Sequence, residues 1–282
     1  MVEHRRFGNL LPHLVLLAGV AIVAFPVYLA IIASTHDNTV IANGQMPLYP
    51  GSRGLETYWN TIVSGTGRTT RQAVGVMMFN SLIMAIGIAI GKIAISIISA
   101  YAIVFFAFPF RMTAFWTIFI TLMLPVEVRI FPTYKITSDL HVLDSYSGLI
   151  LPLIASATAT LLFRQFFMTV PKELVEASKI DGAGPIRFFW DTLLPLSMTN
   201  IAALFVILFI YGWNQYLWPL LITTRDDMQT IVIGIKKIID VRDALTEWQV
   251  AMATAVLAML PPVAVVVLMQ RLFVKGLIET EK

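Results

Sequence analysis

Six long apolar stretches dominate the chain, at about 10–34, 77–106, 113–131, 146–167, 196–221 and 249–272, and nothing else in it constrains the fold as strongly. A helix crosses the hydrocarbon of a bilayer with about 20 apolar residues, so each stretch is long enough for one passage. The runs lack the alternation of a membrane barrel strand, and a backbone facing lipid has to satisfy its own hydrogen bonds, so the passages are read as helices. Of the 282 residues, 57% are hydrophobic and 13% charged, with a mean hydropathy of +0.78. That is more apolar surface than the core of a chain this size can enclose, which excludes a water-soluble fold. The expected fold is all-α: a polytopic membrane protein with six transmembrane helices in one transmembrane domain over residues 1–282. The first stretch is read as an uncleaved anchor, because its apolar run of about 24 residues is too long for a signal-peptide core.

Arg5 and Arg6 precede the first stretch, whereas its far side carries Asp37 and no basic residue before Arg53. The excess of positive charge places the N-terminus in the cytoplasm, and six passages return the C-terminus there. The net charge of +3 is mild, and no run of like charge reads as a nucleic-acid surface. With no cysteine, disulfides, thiolate metal sites and cysteine nucleophiles are excluded. His4, His13, His36 and His141 stand far apart, and none makes an i, i+4 metal pair.

Inside the apolar stretches the polar residues are few. Lys92 lies near the middle of the second, where a charge costs several kcal/mol unless it faces the bundle interior, water or a partner. On a helical wheel Ser81, Lys92, Ser96 and Ser99 share one face, a stripe that could line a path for a polar solute, while Asn80, Gly87 and Gly91 make a separate stripe. Gly87 and Gly91 form a G-x-x-x-G pair suited to a close helix contact. Two readings of Lys92 stand side by side: contact with an anionic substrate, or a structural pair with a carboxylate such as Glu127. Arg129 could meet a phosphate bidentately or snorkel to the interface. Asn214 and Gln215, between Trp213 and Tyr216, could hydrogen-bond substrate hydroxyls or serve as interhelical amides in an aromatic belt.

Between the fourth and fifth stretches, at about 168–195, the loop is too long and too structured for a turn. Pro171 suits the first position of a helix and Glu173 its first turn. Leu174, Ala177 and Ser178 at i, i+3, i+4 make one small, mainly apolar face, and Gly182 is placed to end the helix in a left-handed turn. Pro185 can start a second short helix carrying Phe188, Phe189 and Trp190, before Pro195 leads into the fifth stretch.

This loop resembles the EAA loop of ABC importer permeases: Glu176-Ala177-Ser178, three residues, Gly182, and later Thr192-Leu193-Leu194-Pro195. Ser178 stands in for the second alanine and Thr192 for the isoleucine, both conservative in size and branching. The stretches LDSYSGL at 143–149 and WNQYLWP at 213–219 are similar to the carbohydrate-uptake, maltose-permease-like group. Within it, LMLPVEVRIFP at 122–132 and FIYGWNQY at 209–216 look like the second permeases of glycerol-3-phosphate importers.

The resemblance implies the type I ABC importer permease fold in a bacterial inner membrane, with one chain forming half of a translocation path. The implied partners are a second homologous permease, a dimer of ATPase subunits and a periplasmic or extracellular substrate-binding protein, with lipid around them. Within the loop, Glu173, Glu176, Ala177, Ser178, Asp181 and Gly182 would couple to the ATPase. Lys92, Arg129, Asn214 and Gln215 are the candidates for the substrate path. ATP and magnesium would sit on the partner subunits, with no cofactor on this chain. An external loop at 223–247 would reach towards the binding protein. The same machine for an uncharged sugar and an ion-coupled secondary transporter remain alternatives.

Gly87-Ile88-Ala89-Ile90-Gly91-Lys92-Ile93 is a poor phosphate loop, one spacer residue short and with Ile93 where a metal-binding hydroxyl belongs. Lys92 and Ser96 at i, i+4 are the best enzyme reading, a serine-lysine dyad, but no oxyanion site is apparent nearby.

Overall fold

Away from water, backbone polar groups must pair within the chain, and among the described residues every regular element is helical. The computed structural model describes residues 10–64, 72–121, 124, 126–240 and 246–279. In chain order the helices are α1 (Leu10–Ala33), α2 (Asn38–Ala42), α3 (Gly54–Val63), α4 (Val74–Phe105), α5 (Arg111–Ile120), α6 (Val126–Asp139), α7 (Tyr146–Ile150), α8 (Ala157–Thr169), α9 (Lys172–Ile180), α10 (Pro185–Phe188), α11 (Leu194–Leu196), α12 (Met198–Trp213), α13 (Leu217–Ile222), α14 (Ile231–Ile239) and α15 (Trp248–Glu279). The charged residues Arg5 and Arg6, which set the expected orientation, lie outside the described residues.

The expectation of six single-helix crossings needs correction. Among the described residues three helices are long and apolar enough to cross a membrane: Pro12–Ala33 in α1, Val74–Phe105, and Trp248–Gln270 in α15. Two bent pairs, Tyr146–Leu153 with Ala157–Thr169 at 50° and Pro185–Leu196 with Met198–Trp213 at 70°, raise the number to five if each is one broken span. The stretch expected at 113–131 is not one helix. α5 ends at Ile120 after ten residues and α6 starts at Val126. Pro125 stands between them in the sequence, and a proline disfavours helix at the residue before it. In the fourth stretch a 3-10 turn at Leu151–Leu153 carries Pro152, and Ser156 restarts the helix as the cap of α8, accepting from the Ala159 N–H at 3.3 Å. The stretch expected at 196–221 stops early: α12 ends at Trp213, and Asn214, Gln215 and Tyr216 separate it from α13.

The chain divides into two compact units, Met1–Met77 with Ile233–Leu260, and Met78–Val232 with Pro261–Lys282. In the first, the turn after α1 is tied by polar contacts. Thr35 accepts from the N–H groups of Gly51 at 2.8 Å and Arg53 at 3.2 Å, Asp37 pairs with Arg53 at 2.9 Å, and Asn38 accepts from the Trp248 N–H at 2.9 Å.

In the second unit α6, α7 and α13 pack against α4. Met84 and Ile88 form a buried cluster with Ile130, Leu149, Trp218 and Ile222. The two glycines of the G-x-x-x-G pair make the close contacts expected of them: a Cβ on Gly87 would lie 2.6 Å from Ile150, and one on Gly91 2.5 Å from Ile154. Gly212 of α12 also lies close against α4, since a Cβ there would sit 2.9 Å from the Ala85 Cα. Asn80 is fully engaged. Its amide donates to the carbonyls of Asp227 at 2.8 Å and Gln229 at 3.0 Å, and its oxygen accepts from the Tyr146 hydroxyl at 2.7 Å.

Candidate functional site

Two cavities in the second unit share a wall. One, of about 150 Å³, is lined by Lys92, Arg129, Ala155 and Tyr211 together with Thr133, Gln215 and Trp218 among others. The second, of about 420 Å³, is lined by the same Lys92, Arg129, Ala155 and Tyr211, and by Ser99, Thr117, Thr121 and Thr160. Ser99 lies seven residues beyond Lys92 towards the end of α4, about 10 Å along a helix. The second cavity therefore extends from Lys92 towards the Phe105 end of α4.

Lys92 is 7% exposed, and its ammonium sits over the ring of Tyr211, 3.8 Å from the centroid. That places a positive charge against the negative face of an aromatic quadrupole. Of the four residues expected along the path, Lys92, Arg129 and Gln215 line a common cavity, whereas Asn214 is exposed and outside both linings. The Gln215 amide donates back to the Tyr211 carbonyl at 3.2 Å. The side chain of Glu127, the alternative partner for Lys92, lies outside the described residues.

The hydroxyl stripe expected beside Lys92 is used differently. Ser81 is buried and its hydroxyl accepts from the Ile231 N–H at 2.9 Å; Ser96 is buried and donates to the Ser156 carbonyl at 3.1 Å. Both hydroxyls are thus committed to backbone groups, the Ile231 N–H and a Ser156 carbonyl that also accepts from Thr160, and a buried hydroxyl needs such a partner. Only Ser99 of the three lines a cavity with Lys92. The commitment of Ser96 to Ser156 also removes the geometry a serine-lysine dyad would need. Sequence reasoning missed Tyr211, Thr117, Thr121, Thr133 and Thr160, and the one available signal was the position of Tyr211 one helical turn before Gln215.

The LDSYSGL stretch holds this wall in place. Ser145 caps α7, accepting from the Gly148 N–H at 3.1 Å, and the Gly148 carbonyl accepts from the Trp218 indole at 3.2 Å. Asp144 has a positive φ of 50°, and its carboxylate accepts from the Thr224 N–H at 2.6 Å, the Thr224 hydroxyl at 2.5 Å and the Arg225 N–H at 2.9 Å. Burial alone would push its pKa up. The hydrogen bonds from Thr224 and Arg225 and the Arg225 charge outweigh it and hold the carboxyl below its usual value.

The loop at 168–195 is built as its residues suggest, with one shift: Pro171 is the N-cap of α9 rather than its first helical residue. Glu173 lies in the first turn and Lys179 in the last, each favourable to the helix dipole. Gly182 has φ +72°, the Gly182 N–H bonds the Lys179 carbonyl at 3.1 Å, and the Ala183 N–H bonds the Ser178 carbonyl at 2.8 Å. These two bonds define a Schellman stop, which requires the left-handed residue. No side chain of α9 is buried. α10 is anchored instead. Phe188 is buried against Phe105 at 5.6 Å between ring centroids, Phe189 lies 5.1 Å from Tyr101, and the Tyr101 hydroxyl donates to the Pro185 carbonyl at 2.8 Å. A π-helical turn at Phe189–Leu193 precedes Pro195, whose missing N–H breaks the regular ladder.

In the segment at 223–247, Asp226–Met228 forms a 3-10 turn and α14 buries Ile231, Ile233 and Ile238, while residues 241–245 lie outside the described residues.

The family described as binding-protein-dependent transport system inner membrane component matches residues 78–279. The chain is 60% identical over 282 residues to the sn-glycerol-3-phosphate transport system permease protein UgpE of Rhizobium meliloti (strain 1021), covering 100% of both. It is 54% identical, again over 100% of both, to the protein of that name from Yersinia enterocolitica. A chain in the crystal structure of a bacterial ABC transporter involved in the import of the acidic polysaccharide alginate shares the fold, with a TM-score of 0.79 over 96% of this chain and 98% of that one, at 18% identity. The chain thus belongs to the family of inner membrane components of binding-protein-dependent transport systems, as a multi-pass, all-α permease of an ABC importer.

Proposed function

We propose that this chain is one of two permease subunits of an importer for sn-glycerol-3-phosphate and forms half of its translocation path. The observation that carries this reading is the 60% identity over the full length to a permease named for that solute. The chemistry of the cavity wall supports it. Glycerol-3-phosphate is an anion with two hydroxyls, and Lys92 and Arg129 offer an ammonium and a guanidinium beside threonine hydroxyls and the Gln215 amide. A charge in such a low-dielectric wall attracts a phosphate more strongly than it would in water.

The N- and C-termini face the cytoplasm, together with α9. There the exposed Glu173, Glu176, Ala177 and Asp181, with the half-buried Ser178, dock on the ATPase dimer, which binds ATP and magnesium. The Gly182 stop and the aromatic anchor of α10 on α4 carry ATPase closure into the path. The segment at 223–247 faces the substrate-binding protein on the opposite side, and a second, homologous permease completes the path.

The test is uptake by vesicles containing the chain purified with its co-expressed partner subunits and binding protein. ATP-dependent uptake of labelled glycerol-3-phosphate, resistant to competition by glycerol or maltose, is the expected result. Uptake of an uncharged sugar instead would overturn the substrate, and uptake driven by an ion gradient without ATP would overturn the machine.

A further inference from the structure

The residue that most needs an explanation beyond this reading is Tyr211. It lines both cavities, as Lys92 does, and its ring lies directly under the ammonium. Its position follows from packing. Gly212, the next residue, lets α12 approach the α4 backbone at Ala85, two turns before Lys92. Side chains on a helix lean towards its N-terminus, so Lys92 reaches back along α4 towards that contact and meets the ring there. Arg129 lines the same two cavities, and like charges along one apolar wall repel. A four-carbon lysine stem is flexible enough to swing away from such a neighbour.

We infer that Tyr211 is a positioning residue: its aromatic face pins the Lys92 ammonium at the junction of the two cavities, so that one cation serves an anion on either side. The ring occupies one side of the ammonium and leaves N–H donors directed into the cavities. A phosphate in the smaller cavity and a phosphate in the larger one then meet the same charge, and the solute passes Lys92 without crossing an uncompensated apolar gap. An aromatic face suits this task better than a carboxylate would, because a carboxylate would neutralise the ammonium and compete with the phosphate for it. The inference rests on the proposed anion path for its purpose, but the pinning itself is a property of this chain and is measured separately.

Two readouts on the complete, detergent-purified transporter test it. The first is the rate at which an amine-reactive reagent labels Lys92, followed by mass spectrometry. Tyr211→Leu is expected to raise that rate about tenfold, equivalent to about 1.4 kcal/mol, whereas Tyr211→Phe, which keeps the ring face, leaves it within about twofold of the original. The second is the concentration dependence of glycerol-3-phosphate uptake. Tyr211→Leu raises the half-saturating concentration about tenfold with the maximal rate little changed, Tyr211→Phe restores it, and in a Lys92→Gln background Tyr211→Leu has no further effect. Unchanged labelling in Tyr211→Leu, or a Tyr211→Phe variant as impaired as Tyr211→Leu, overturns the pinning. Independent, multiplying effects of Tyr211→Leu and Lys92→Gln on uptake overturn it as well. Labelling that responds as expected in a transporter that does not carry glycerol-3-phosphate leaves the pinning standing and removes the substrate reading.

Discussion

α1 and α4 are both apolar helices long enough to cross a membrane, and α1 is the more apolar of the two, yet 6% of the spanning window of α1 is buried against 50% of that of α4. The difference lies in what interrupts the apolar residues. α4 carries Asn80, Ser81, Lys92 and Ser96, all buried, and two glycines in contact with neighbouring side chains. Gly19 of α1 has nothing within 4 Å of where a Cβ would be, and the side chains around it are exposed. Hydrophobicity sends a helix into the bilayer, but lipid tails are as apolar as leucine, so it does not choose which helix sits inside the bundle. Polar groups with partners and small residues at close contacts make that choice.

The largest expected effect tests the close contacts. Gly91→Leu would drive a side chain into Ile154 and should cost about 3 kcal/mol or more, within the upper range for overpacking, leaving little folded protein after detergent extraction. Recovery of the variant at normal yield with an unchanged melting temperature would break the comparison. Gly182→Val should come next. The left-handed turn at φ +72° costs any β-branched residue, about 1–2 kcal/mol locally, while no neighbour obstructs the side chain. The protein should insert normally and lose uptake, with Gly182→Ala intermediate; immunoblots alongside uptake assays read both outcomes.

Asn80→Ala removes three hydrogen bonds and strands the carbonyls of Asp227 and Gln229, so about 2 kcal/mol of stability should be lost, measured as thermal unfolding in detergent. A smaller effect is expected at Asp144. Its pKa in the folded state is held below the ordinary value of 3.8, so its stabilising contribution is present above that value and disappears as pH falls through the folded-state pKa. Asp144→Asn tolerates the positive φ, and should cost about 1 kcal/mol near neutrality, a gap that closes at acid pH. Melting curves from pH 7 downward check the sign. The smallest effect sharpens the comparison from the other side. Gly19→Ala should change stability by less than about 0.5 kcal/mol and leave uptake intact. Loss of uptake would identify the exposed face of α1 as a contact with another subunit instead of lipid.

Reading the site from the sequence worked where a residue's role is local. Gly182 ends α9 because only its own φ matters, and Gly87 and Gly91 meet a neighbour because their spacing leaves a groove on one side of a helix. It failed where a role depends on a distant backbone group. Ser81 and Ser96 share a face with Lys92, but their hydroxyls are taken by Ile231 and Ser156, 150 and 60 residues away. Asn214 neighbours Gln215 in the chain, yet the turn after α12 exposes one and sends the other to the cavity.

The amino-acid sequence by itself determined the solvent, the helical class and the family of this protein. Apolar length, the missing alternation and the spacing of Glu176, Gly182 and Pro195 are properties of the chain read in order, and they need no neighbour to take effect. Only the tertiary structure decided which polar groups meet at the wall of Lys92, Arg129 and Tyr211 and which are drawn away to distant backbone groups. A buried polar group goes to whichever unpaired partner the folded chain brings within about 3 Å, and that is set by packing between helices far apart in the sequence.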